Sequence, residues 1–268
     1  MPAKLASILA ILLAGTAVCQ AGLSHEQILD LFNQANQAFH LANTQADAAG
    51  REPYYVKAIL AYEKIVQDGS IHNAKLYYDL ANAYLLKGDV GQAILNYRRA
   101  EQLDAGDRNI QKNLAFARSR RIDAIAAKTE QQVLETLLFW HYDLGIRTRI
   151  LAACAALAVG CLGMTVMVWR GAGSLRVATV VLSGIATVCL ATSVVVEVRT
   201  KAAVQQGVIT AAEVAARQGD GPNYPESFKA PLHSGTEFRL IEKRPGWLHI
   251  RLSDGSDTWI VDNAAALI

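Results

Sequence analysis

The sequence predicts a multidomain membrane protein: an all-α repeat domain, a two-helix transmembrane hairpin and a small all-β barrel, in that order. Three observations predict it. Hydrophobic residues make up 52% of the 268 residues and charged residues only 19%, which lies to the apolar side of an ordinary soluble chain. That excess gathers in residues 5–18, 150–169 and 177–196. Residues 23–130 carry helical periodicity with a single proline, Pro53, whereas residues 202–268 carry short alternating stretches broken by glycine, proline and aspartate.

With 26 basic and 24 acidic side chains the formal net charge is only +2. Broad electrostatic capture of nucleic acid needs a basic stripe on a distinctly basic domain, so that class is excluded. The four cysteines, Cys19, Cys154, Cys161 and Cys189, all accompany the apolar blocks. The polar parts therefore hold no disulfide framework and no thiolate metal site.

The first apolar block follows Lys4 and runs from Leu5 to Ala14, and small residues close it at Cys19-Gln20-Ala21. This is the layout of a secretory signal, residues 1–21, with cleavage after Ala21. An uncleaved anchor or a lipid-modified Cys19 are the alternatives, and in all three cases the rest of the chain is exported. Ile150–Trp169 and Val177–Val196 are runs free of charge. At ~1.5 Å per residue each is long enough as a helix to cross a bilayer core. Neither has the polar face that a buried helix of a soluble domain would keep. Arg170 to Arg176 is too short for anything but a tight turn, so both polar domains lie on one side. Small residues four apart, Ala156 with Gly160 and Ser183 with Thr187, allow close helix approach. No ionisable residue sits at mid-membrane, so the hairpin reads as an anchor in membrane lipid and not a transport path. The flanking Arg147, Arg149, Arg199 and Lys201 outnumber Arg170 and Arg176, which favours the opposite orientation. The signal acts first during synthesis and decides for export: a bacterial inner membrane with both domains on the periplasmic side.

Within residues 22–130, the segment Ala74–Asp107 places Tyr77, Leu80, Ala81 and Tyr84 on one helix, Gly88 at a turn, and Ala93, Tyr97 and Ala100 on the next. Large residues fill the groove between the helices and small ones let them touch. This resembles the tetratricopeptide repeat, with Ala105 where the family has proline. A degenerate copy upstream uses Phe32, Ala35 and Phe39, then Ala58, Tyr62 and Ile65, with about ten extra residues from Thr44 to Pro53 between the two helices. Asn109–Ile125 reads as a terminal cap helix, with Leu114 and Ala115 in repeat positions. By repeat position Tyr78, Asn82, Leu85 and Asn113 face a concave groove. The two asparagines suit peptide recognition, since an amide both donates to and accepts from a backbone, or they bond between repeats. Residues 131–149 read as a juxtamembrane helix, with Trp140, His141 and Tyr142 in the interfacial belt.

In residues 202–268, a strand from Gln206 to Arg217 precedes a polar loop from Gly219 to Pro231. Alternating stretches follow at Thr236–Lys243, Trp247–Leu252 and Thr258–Val261, with turns at Arg244–Gly246 and Asp254-Gly255. Five strands in so short a span argue a small barrel. Gly246-Trp247, Asp254-Gly255, Trp259-Ile260 and the terminal Ala265–Leu267 resemble the bacterial SH3 family, with Thr258 where a glycine is usual. Trp247 and Trp259 are its core or groove aromatics.

The six histidines are scattered, with no metal-binding pair, no phosphate loop and no nucleophile elbow. The chain reads as no enzyme, with no cofactor and no catalytic residue. The order signal, repeat domain, membrane segments and SH3-like domain resembles the BatE-type proteins of bacterial aerotolerance operons. That resemblance implies a non-catalytic scaffold of an envelope complex linked to stress resistance. It implies membrane partners with von Willebrand factor A domains and, indirectly, a MoxR-type ATPase. The alternative is a cell-wall-binding or sensing protein whose SH3-like domain grips peptidoglycan.

Overall fold

The computed structural model describes residues 22–125, 144–203 and 205–268. The signal segment, Cys19, and Trp140, His141 and Tyr142 lie outside the described residues. The chain divides into two compact units between His72 and Asn73.

In the first unit, α1 (His25–Thr44) and α2 (Ala48–Gln67) pair as a hairpin. Ser24 caps α1 in a reciprocal box with Gln27, and Asp47 caps α2 through the Gly50 N–H, each satisfying amides that a helix start leaves open. Ala35, Ala58, Tyr62 and Ile65 are buried between the two helices. Phe32 packs edge-on against Tyr62, and Phe39 tilts against Tyr55. The residues from Thr44 to Pro53 are not a long loop. Most of them form the opening of α2, and Pro53 lies inside that helix, where it removes one intrahelical donor.

The second unit begins with α3 (Ala74–Lys87), α4 (Val90–Leu103) and α5 (Arg108–Ser119). Their N-caps are Asn73, Asp89 and Asp107, each bonded to an early backbone amide. Gly88 ends α3 at φ 97°, a left-handed residue that bonds back to Leu85 while the Asp89 amide reaches Tyr84. Tyr77, Leu80, Ala81, Tyr84, Ala93, Tyr97 and Ala100 are all buried, so the spacing read from the sequence is the packing of this hairpin. Helix α5, expected to run to Ile125, ends at Ser119. Leu114 is buried and Ala115 is exposed; Ala117 takes the small buried position instead.

Helices α6 (Ile146–Arg170) and α7 (Ser174–Ala203) form an antiparallel hairpin closed by Gly171-Ala172-Gly173. Both extend beyond the charge-free runs at each end. Their apolar stretches have mean hydropathy 2.3 and 2.2, and Leu151, Leu162, Leu182 and Val188 point outward, mostly exposed. The two helices are long and apolar enough to cross a membrane, which points to membrane association. A Cβ on Gly160 would stand 2.7 Å from Ser183 Oγ, and one on Gly163 would stand 2.9 Å from a Val180 methyl, so small residues do set the close approach. Arg149 is 1% exposed. It is ion-paired with Glu197 and hydrogen-bonded to Ser193 Oγ at 2.7 Å. Cys154, Cys161 and Cys189 carry free thiols.

The rest is a small antiparallel β structure. Strands β1 (Gln206–Ile209), β4 (Glu237–Arg244), β5 (Trp247–Arg251), β6 (Asp257–Val261) and β7 (Ala265–Leu267) form a sheet ordered β6-β5-β4-β1-β7. A two-stranded ribbon joins β2 (Glu213–Val214) to β3 (Leu232–His233). The expected single strand Gln206–Arg217 is thus split, because Thr210 and Ala211 turn to bond the Ala264 carbonyl. Both sheets bury one core containing Ile209, Val214, Leu232, Phe238, Leu248, Ile250 and Ile260. Gly246 (φ 78°) and Gly255 (φ 84°) make the two tight turns.

Candidate functional site

The expected groove residues come together, but they hold one another. The Tyr97 hydroxyl donates to Asn82 Oδ1 at 2.5 Å. The Asn113 amide donates to Asn82 Oδ1 at 3.0 Å and to the Tyr78 hydroxyl at 2.9 Å. Burial pushes the Tyr97 phenol well above the usual tyrosine range, so it remains a donor. Tyr78 also tilts against the Tyr97 ring. The four side chains therefore bolt α3, α4 and α5 together, and Leu85 stands outside this network, half-buried. Tyr97→Phe removes the hydroxyl and leaves Asn82 short of a donor. The expected cost is about 1 kcal/mol in chemical unfolding of the full chain.

Register separates the two tryptophans from the core of the β module. Leu248 pairs with Ile260 and points inward; Trp247 and the pair His249–Trp259 alternate to the outer face. Trp259 is nevertheless only 8% exposed. The His249 ring stacks on it at 4.6 Å and 3°, and the Arg244 guanidinium lies 4.8 Å from its ring centre. Hydrogen bonds to Glu242 and Asp220 raise the Arg244 pKa, and the bond from Arg244 holds the Asp220 carboxyl below the usual range. Trp259 also exchanges two backbone hydrogen bonds with Arg217, both 2.8 Å, which closes the β6 edge. Thr258 donates its hydroxyl to the Arg217 carbonyl at 3.0 Å and bonds Ser227 Oγ at 2.8 Å.

The site that sequence reasoning missed joins the α3–α5 module to the β module, across a chain separation that includes the whole apolar hairpin. Glu237 on β4 accepts a bidentate pair from Arg118, both bonds 2.7 Å. Arg121 and Arg98 each lie 3.3 Å from the same carboxylate. Arg98 is also bonded to Glu101 and to Gln206. Beyond α5, Asp123 accepts the His233 amide at 2.6 Å and the Thr236 hydroxyl at 2.7 Å, and meets the His233 ring at 2.8 Å. Arg99 donates to the Leu267 carbonyl at 3.1 Å.

Burial pushes the Glu237 carboxyl up, but the Arg118 bonds and the charges of Arg118, Arg98 and Arg121 outweigh it and hold its pKa below the ordinary value. Asp123 behaves alike: burial raises it, and the hydrogen bonds from His233 and Thr236 bring it below. Between these groups the backbones nearly touch. A Cβ on Gly91 would collide with Ser234 Oγ and lie 2.8 Å from the Ile209 carbonyl oxygen, while Gly235 (φ 91°) faces Arg121, Ile94 and Val90. Only the basic run Arg118–Arg121, at and just beyond the end of α5, hinted at this junction in the sequence.

Among the described residues no cluster of histidine, cysteine, aspartate or glutamate could hold a metal ion. In comparison with known proteins, the chain matches no protein-family model and no curated protein.

Proposed function

We propose that the protein is a non-catalytic, membrane-anchored scaffold whose tetratricopeptide-type helical pairs and SH3-like β module hold partner proteins on one side of a bacterial inner membrane, the periplasmic side. The carrying observation is the junction itself. Arg118 precedes the apolar hairpin and Glu237 follows it, yet they share two 2.7 Å hydrogen bonds. Groups in direct contact are in one compartment, and an antiparallel hairpin returns the chain to the side it left.

The BatE-type reading supplies the partners: membrane proteins with von Willebrand factor A domains and, through them, a MoxR-type ATPase, in an aerotolerance-linked complex. It is supported by the order of modules and by the buried repeat positions. The cell-wall-binding reading would use the outer aromatic face of the β module. The stacking of His249 and Arg244 on Trp259 favours a structural use of that face. The test is crosslinking in intact membranes, followed by mass spectrometry of the captured species. The scaffold reading expects membrane and envelope proteins among them; a capture set without any defeats it.

A further inference from the structure

We propose that the cleft between the helical and β modules docks an acidic segment of a partner protein, a carboxylate flanked by aliphatic side chains. The proposal rests on the scaffold reading and names the chemistry of one contact. The cleft is open to solvent and has a volume of about 480 Å³, within the range of ordinary ligand sites, roughly 300–1,000 Å³. Lys87 and Arg120 line it from the helical side, and Ser234 lines it from the β side.

Charge selects the occupant. The carboxylates around the junction are already engaged: Glu237 by three arginines, and Asp123 by His233 and Thr236. Asp89, which lines the cleft, accepts the Gln92 amide at 3.1 Å as the cap of α4. Lys87 and Arg120 have no carboxylate partner among the described residues. The Arg120 guanidinium lies 5.0 Å from the Phe116 ring centre, an arrangement that orients the fork and leaves its in-plane N–H groups for an acceptor. Ile122 is 72% exposed beside it, and together with Val90 it offers an apolar wall to an aliphatic neighbour of the acid. The adjoining surface already grips a side-chain carboxylate in this way, in Glu237. Because both modules line the cleft, an occupant bridges them and binds the docked form.

The test uses the full chain in nanodiscs and a peptide labelled at its N-terminus, fluorescein-AELEVA-amide, with its glutamine counterpart as control, read by fluorescence anisotropy. The acidic peptide is expected to bind, more weakly as salt rises, and the glutamine peptide not to bind. Lys87→Gln and Arg120→Gln should each weaken binding about tenfold, the size of one charge-assisted contact. Lys112→Gln, exposed on α5 and outside the cleft, should leave it unchanged. Equal binding of the two peptides, no binding of either, or indifference to Lys87 and Arg120 overturns the proposal. Capture of envelope partners alongside a failed peptide assay removes this site and leaves the scaffold reading standing. An empty capture alongside a bound peptide does the reverse.

Discussion

Glu237→Ala is expected to release the β module from the helical module at a cost of about 3 kcal/mol, because it strands Arg118, Arg98 and Arg121 around a vacated, largely buried position. The Glu237 side chain is only 18% exposed, so little water reaches the three cations to compensate. Chemical unfolding of the full chain should show a separate, earlier transition for the β module. Hydrogen exchange should rise at Ile209 and Gly235, whose amides are bonded along the docked edge. The double variant Arg118→Ala/Glu237→Ala should cost less than the sum of the single changes, since it removes the stranded charge together with its partner.

The pH dependence follows from the same carboxylates. Both Glu237 and Asp123 have native pKa values below their ordinary ones, 4.5 and 3.8. Their contribution is therefore complete above those ordinary values and is lost as pH falls through the lowered native ones. Undocking belongs to the acid side of the carboxylate range, and Glu237→Gln should flatten that acid limb. An acid limb unchanged by Glu237→Gln would mean that the junction is not held by this carboxylate.

Glu197→Ala is expected to be of similar size, about 3 kcal/mol, for a related reason: it leaves the buried Arg149 without its counter-charge in a low-dielectric hairpin. The loss should appear as thermal unfolding at lower temperature in a fixed detergent. The charge swap Arg149→Glu/Glu197→Arg should recover much of it, because the pair is re-formed without changing the charge on that flank. If the swap is as damaging as the single change, the pair is not what registers α6 against α7.

Much of this architecture was legible, for identifiable reasons. The positions Tyr77 to Ala100 follow from helix periodicity, and their burial needs only the neighbouring helix. The strands from Glu237 to Val261 follow from alternation bounded by Gly246 and Gly255, which are local signals. The hairpin follows from two long apolar runs. What was hidden depends on distant partners. Nothing near Arg118 or Arg121 in sequence announces Glu237, because the ion cluster exists only once two modules meet. Arg149 reads as an ordinary flank charge for the same reason, and its partner Glu197 gives no signal of its own. The asparagines at 82 and 113 were legible as a pair, but whether they face a ligand or each other is decided by the Tyr97 and Tyr78 hydroxyls. The difference at Thr44–Pro53 is local: these residues, expected between the two helices, mostly open α2, and Pro53 lies inside it.

The central claim is that two apolar helices cross the membrane as a hairpin and return the chain to the side on which its modules dock. It is tested most directly by single cysteines, Lys112→Cys, Ala172→Cys and Lys229→Cys, in a chain whose native cysteines are replaced by alanine. Intact cells with a permeable outer layer are treated with a membrane-impermeant maleimide. The account predicts that positions 112 and 229 react together and that position 172 reacts only after the membrane is opened. Unequal labelling at 112 and 229, or labelling at 172 alongside them, would contradict it.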